Sequence, residues 1–141
     1  MIDIIKADHT HVSSIKNLLE QLGYESEETG LISALELPHN ESEAFVVVSS
    51  TKVVAFMSLI YFYYFPLQKH VCRITAIVVD KNLRNSGIGK KLIRFAATKA
   101  QSSSCVQLEV TTSLSREATQ AYYEHLGFNK ASLRYYLNIG N

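Results

Sequence analysis

Residues 84–90 read Arg-Asn-Ser-Gly-Ile-Gly-Lys and stand between an apolar run, Ile74 to Val79, and an amphipathic stretch, Lys90 to Ala100. A strand, a tight turn with two glycines and a helix start, in that order, leave several backbone N–H groups without intrahelical partners. Those groups point into one concavity, where the helix dipole also favours negative charge. Glycine suits such a turn because it allows positive φ and lets a ligand approach the main chain closely. The segment therefore predicts a seat for a phosphate or pyrophosphate, although a plain strand-to-helix turn with a basic rim has the same pattern.

The spacing excludes two common phosphate loops. A Walker loop needs a glycine where Arg84 stands and a Ser or Thr where Lys91 stands. A dinucleotide fold asks for a third glycine at Leu92.

Charge separates along the chain. Lys81 to Leu108 carries six bases (Lys81, Arg84, Lys90, Lys91, Arg94 and Lys99) and no acid. Glu20 to Glu43 carries seven acids (Glu20, Glu25, Glu27, Glu28, Glu36, Glu41 and Glu43) and no Lys or Arg. The net charge of +1 thus hides a basic pole at the glycine turn and an acidic pole nearer the N-terminus. That arrangement suits a polyanionic ligand at one end and a cationic one at the other; solvated helix faces give the same distribution.

With 141 residues the expectation is one domain, 1–141, long enough to bury a core. A near-zero net charge argues against general nucleic-acid binding. Met1 to Asp8 lacks a secretory pattern, and the apolar run Val53 to Leu67 is too short and too polar to span a bilayer, so no membrane role and a cytoplasmic location are expected. Cys72 and Cys105 fall in strand-like stretches as free thiols. His9, His11, His39, His70 and His125 show no metal spacing, so no metal is expected.

The apolar periodicity predicts this order of elements. A strand at Met1 to Lys6 is followed by a helix capped by Asp8, with Val12, Ile15, Leu18, Leu19 and Leu22 inward until Gly23. A weaker helix runs from Ser26 to Pro38. A hairpin of Ala44 to Ser49 and Lys52 to Phe65 turns at Ser50-Thr51, and a strand follows at Val71 to Val79. Then come a helix from Gly87, a strand from Val106 to Thr111, a helix from Ser115 to Leu126, and a last strand from Ser132 to Ile139. The hairpin and the later strand–helix–strand units predict an α/β fold on a mixed sheet. In the aromatic run Tyr61 to Phe65, alternate members are expected to line one side of the sheet and the others to pack under the first helices.

A second informative stretch is Ala118 to Phe128. Ala118, Tyr122 and Leu126 share a helical face and are expected to pack, leaving Tyr123 about 100° away at a boundary or cleft. Together, Arg84-x-x-Gly87-x-Gly89 after an apolar strand and Tyr122-Tyr123-Glu124-x-Leu126-Gly127-Phe128 some thirty-five residues later resemble the two signature segments of the GNAT family of N-acetyltransferases. The resemblance covers nearly the whole element order. It implies a mostly antiparallel sheet whose parallel fourth and fifth strands splay apart, with acetyl-CoA in the opening.

Carried over by position, the resemblance implies that main-chain groups of Ile77, Val78 and Val79 meet the acetyl carbonyl and pantetheine arm. Arg84, Asn85, Ser86, Gly87, Ile88, Gly89 and Lys90 would hold the pyrophosphate, with Arg116 near the cofactor arm. Tyr123 takes the general-acid position, where a phenol of pKa about 10 can protonate a leaving thiolate.

The chain departs from the family at three places, one of them Thr119, where an alanine is frequent. Asn85 stands where a glycine is frequent. Thr75 and Ala76 stand where many members carry a glutamate base on the fourth strand. Leu108-Glu109-Val110 is similar to a segment of the ribosomal-protein alanine acetyltransferases, which makes Glu109 the substitute base; a solvated strand face is the other account of it.

The expected activity is acetyl transfer from acetyl-CoA to a primary amine by direct attack in a ternary complex. The acidic pole favours a cationic acceptor, and homodimers are common among such relatives. A CoA-binding module without transfer and a non-CoA nucleotide binder are the competing functions.

Overall fold

Ser50 and Thr51 both adopt positive φ, 49° and 66°. A left-handed pair of this kind matches the twist of two antiparallel strands and closes a two-residue hairpin. It joins β2 (Ser42–Ser49) to β3 (Lys52–Tyr64). In this computed structural model, which describes residues 2–38 and 40–140, that hairpin lies inside a five-stranded sheet. The other strands are β1 (Ile2–Lys6), β4 (Lys69–Val79) and β5 (Leu108–Val110), in spatial order β1-β2-β3-β4-β5. The first four pair antiparallel and β4 with β5 parallel, so the sheet is mixed as expected. Met1 and His39 fall outside the described residues.

By its contacts the chain divides into two compact units, Met1–Val110 and Thr111–Asn141. In the first, Asp8 caps a single 3-10 turn (His9–His11), accepting from the Thr10 amide at 2.9 Å while His11 Nδ1 accepts from the Asp8 amide. That turn feeds α1 (Val12–Leu22), which ends at Gly23 with φ 102°, a left-handed stop that glycine adopts without strain. His11 therefore takes part in the cap. The second helix, α2, is shorter than the periodicity suggests, Glu28–Leu35.

Val12, Ile15 and Leu18 of α1 are buried. Ile15 and Leu18 pack with Ala7, Val46, Phe56 and Val78, and Leu31 and Leu35 of α2 close over the same cluster. Truncating Leu18 to Ala in such a site typically costs about 2–5 kcal/mol. The opposite face of the sheet is covered by α3 (Ile88–Ser102), whose Leu92, Ile93, Ala96 and Ala100 are buried and whose Phe95 stacks edge-on against Phe45 at 4.9 Å.

Glu43, counted above in the acidic pole, also lies on this α3 side. It accepts from Tyr61 Oη at 2.8 Å and pairs with Lys99 at 3.4 Å. Burial and the Glu43 carboxylate together hold the Tyr61 phenol well above its ordinary range. Cys72, fully buried in β4, has its thiol pushed up to about 12, first by burial and then by Cys105 and Glu43. Cys105 sits in the turn before β5 rather than in a strand, and both cysteines are free.

The second unit is built on α4 (Glu117–His125), with Arg116 at the N-cap. Gln120 Nε2 donates to the carbonyls of Ser113 and Leu114 and ties the preceding turn to the helix. Gly127 ends the helix with φ 102°. The last strand expected at Ser132 to Ile139 is not formed, and residues 131–140 carry neither helix nor strand. A strand needs a partner ladder, and the described residues of this unit contain no second strand to provide one.

Candidate active site

The functional geometry of the first unit starts from an irregularity in β4. Ala76 pairs with Ser58 but Ile74 pairs with Leu59, so Thr75 is the extra residue of a β-bulge. A bulge changes which residues turn their backbone groups toward which neighbour. Cys72 faces β5, its amide donating to the Gln107 carbonyl at 3.1 Å. Past the bulge, the Asp80 amide donates to Val54 of β3 at 2.8 Å. By antiparallel alternation Val78 therefore faces β3, and Ile77 and Val79 turn their N–H and C=O groups away from it. Of the three expected main-chain contributors, Ile77 and Val79 have groups to offer, whereas those of Val78 belong to the sheet.

The strand that would cover that edge stops early. The β4–β5 ladder runs only from Cys72↔Leu108 to Ile74↔Val110. From Thr75 to Val79 the β5 side of β4 has no strand partner among the described residues. The expected splay begins at the bulge.

The edge leads into the glycine turn. Gln21 of α1 accepts from the Lys81 amide at 2.9 Å, Asp80 caps the next turn by accepting from Asn82, and Arg84 Nε donates to the outward Val79 carbonyl at 3.3 Å. The Ser86 hydroxyl donates to the Leu83 carbonyl, so it stabilises the turn internally. Asn85 and Gly87 both have positive φ, 65° and 87°.

Gly87 is the N-cap of α3 and has no side chain to satisfy the helix, and the first helical bond runs from Lys91 to its carbonyl. The amides of Ile88, Gly89 and Lys90 find no partner among the described residues. The Ile88 side chain is buried, which anchors the turn and leaves only its amide outward. A Cβ built on Gly87 meets nothing within 4 Å, so the space over the turn is open. Free amides, a helix N-terminus, open space and the exposed Arg84 and Lys90 fit a diphosphate. A polar groove of about 440 Å³ lies beside this turn, lined by Asn17, Glu20, Gln21, Asp80, Lys81 and Asn82, and its two carboxylates make it a poor seat for the same anion.

On the sheet face shared with α1 and α2, Arg73 stands opposite Glu109 in the β4–β5 ladder. Its Nε and Nη2 lie 2.8 and 2.7 Å from the same atom, Glu109 Oε1. The guanidinium lies 4.9 Å above the Phe62 ring. Glu109 is thus neither a lone base nor a merely solvated side chain. Two residues farther along β4, Thr75 Oγ1 and Ser58 Oγ are 2.7 Å apart. The aromatic run alternates as expected, with Phe62 and Tyr64 in edge contact on this face and Tyr61 on the other. Sequence reading missed Arg73, Ser58 and the bulge itself, for which the chain carries no local signal.

In the second unit Tyr123 is half-buried while Tyr122 is 42% exposed, the reverse of the helical-face expectation. The cause is local. The Phe128 amide donates to the Tyr123 carbonyl at 3.0 Å, which folds the chain back so that Phe128 stacks edge-on against Tyr123 at 5.6 Å. Burial, and then Tyr122, pushes the Tyr123 phenol up, against a smaller opposing effect of Arg116. A phenol so placed stays protonated across the neutral range. Among the described residues no group of His, Cys, Asp and Glu side chains could hold a metal ion, and no helix is long and apolar enough to cross a membrane.

Comparison with known proteins points the same way. Residues 10–128 match the model of the Acetyltransferase (GNAT) family. N-alpha-acetyltransferase 30 of Saccharomyces cerevisiae is 36% identical over 70 residues, which is 48% of this chain and 40% of that protein; the chain spans less than half of that relative. Two crystal structures share the fold at low identity. A transcriptional regulator from Bacillus halodurans has a TM-score of 0.88 at 16% identity, covering 99% of this chain and 100% of the other. A ribosomal-protein-alanine N-acetyltransferase from Brucella melitensis has a TM-score of 0.82 at 19% identity, covering 99% and 100%. With a family match over most of its length and a mixed sheet that opens between β4 and β5, the chain belongs to the Acetyltransferase (GNAT) family.

Proposed function

We propose that this chain transfers the acetyl group of acetyl-CoA to a primary amine by direct attack within a ternary complex. The observation that carries the proposal is a run of two sets of backbone groups without partners among the described residues, the outward groups of Ile77 with the Val79 amide on β4 and the amides of Ile88, Gly89 and Lys90 at the turn. Such a run can hydrogen-bond an extended acyl carrier along β4 and end on its diphosphate. In this account the Ile77 amide polarises the thioester carbonyl, and Arg84 and Lys90 neutralise phosphate charge.

The amine nitrogen bonds to the carbonyl carbon, the carbon–sulfur bond breaks, and Tyr123 gives its proton to the departing thiolate. Glu109 Oε2, which Arg73 leaves unused, accepts the proton that the amine loses. The exposed acids Glu25, Glu27 and Glu28 favour a cationic acceptor; Glu43 is engaged with Tyr61 and Lys99 and is not counted with them. The names of the relatives add the N-terminal amine of a peptide to the acceptors worth testing.

A second function keeps one specific observation in its favour. No carboxylate stands on β4 at its open edge, and Glu109 is already paired with Arg73, which suits a module that binds acetyl-CoA without transferring it. Thiol release from acetyl-CoA with a panel of polyamine, aminoglycoside and peptide amines separates the two. Amine-dependent release with intersecting initial-velocity lines supports the ternary-complex transferase. Binding with no amine-dependent release supports the module.

A further inference from the structure

We infer that the Ser58–Thr75 hydroxyl pair is the hydrogen-bonding site for the acceptor amine, an inference that rests on the transferase function proposed above. Three observations converge on these residues. The bulge makes Thr75 the one residue between the β5-paired part of β4 and its open edge, two positions before the outward-facing Ile77. Its side chain is exposed, and Ser58 on β3 meets it at 2.7 Å. Both stand on the sheet face that carries Arg73 and Glu109, not on the α3 side.

Counting donors and acceptors shows what such a pair can hold. Two hydroxyls carry two O–H donors and four lone pairs, and their mutual bond uses one of each. One O–H and three lone pairs are left over, and no other partner engages them among the described residues. That surplus of acceptors matches a primary amine, which must direct its own lone pair at the carbonyl carbon and place its N–H bonds elsewhere. A neutral hydroxyl holds the nitrogen without competing for a proton, so it orients the nucleophile and leaves the proton to Glu109 or water. Strand β4 therefore offers an amine-positioning hydroxyl where many relatives offer a carboxylate.

Steady-state kinetics of Thr75→Val, Ser58→Ala and Thr75→Ser on the full chain test the inference, with acetyl-CoA and an amine that the wild type acetylates. Val replaces Thr with nearly the same shape, so the exposed site loses a hydroxyl and little packing. Removing either hydroxyl should raise KM for the amine about five- to tenfold, the equivalent of one lost hydrogen bond. KM for acetyl-CoA and the shape of the pH profile should not change. Thr75→Ser should keep the wild-type KM. An unchanged amine KM in a folded Thr75→Val protein, or a Thr75→Ser protein as impaired as Thr75→Val, would overturn the inference. A wild type that transfers to no amine would instead count against the transferase function itself.

Discussion

Arg73 places Nε and Nη2 on one oxygen of Glu109, across the short parallel ladder where β4 and β5 still meet. The second oxygen, Oε2, is left for another partner. A half-exposed pair of this kind contributes about 0–1 kcal/mol to stability, so its geometry matters more for chemistry than for the fold.

Glu109→Gln keeps the shape and an oxygen for Arg73 but removes the charge. If Oε2 accepts the amine proton, the variant should be slowest relative to wild type near neutral pH. Its deficit should shrink toward about pH 9–10, where simple amines lose their proton unaided. Rate–pH profiles for both proteins check this, and matching profiles would assign the proton to water.

Gly87→Val should abolish acetyl-CoA binding with the fold retained. The added Cβ meets no protein atom, so the penalty within the protein is the strain of φ 87°, of order 1–2 kcal/mol. Its branches would fill the space the diphosphate needs. Calorimetric titration with acetyl-CoA, beside a thermal melt to show that the variant is folded, reads both outcomes.

The strand-forming, glycine-turn and helix signals were local and could be read directly. Ser50-Thr51 closed its hairpin, Gly23 stopped α1, and the turn at 84–90 left its amides free. What escaped was non-local. The bulge at Thr75 depends on how β3 and β4 align, and the Arg73–Glu109 pair joins residues thirty-six apart through the parallel register. The order of burial of Tyr122 and Tyr123 was reversed because Phe128, beyond the helix end, folds back onto Tyr123. The strand expected at Ser132 to Ile139 had a strand's alternation and lacked a partner within its unit.

Neutralising Glu25, Glu27 and Glu28 together should raise KM for a cationic amine, more at low ionic strength than at high, with acetyl-CoA affinity unchanged. All three are exposed, so the fold should tolerate the change. A KM insensitive to both mutation and salt would reduce them to ordinary surface charge.

Tyr123→Phe keeps the ring against Phe128 and removes only the hydroxyl. If that hydroxyl protonates the thiolate, kcat should fall by roughly ten- to a thousandfold with acetyl-CoA affinity little altered. The raised phenol keeps its proton below pH 10, so in the wild type any loss of activity from its ionisation should begin only above that pH. A decline centred well below pH 10 that Tyr123→Phe abolishes would contradict the assignment.

The central claim is transfer of an acetyl group directly from acetyl-CoA to an amine. A single turnover with isotopically labelled acetyl-CoA, excess enzyme and an amine that supports thiol release, followed by mass spectrometry of protein and small molecules, tests it most directly. The account predicts one label per released thiol on the amine nitrogen and none on the protein at any time. Label released as free acetate, or label appearing first on the protein chain, would contradict it.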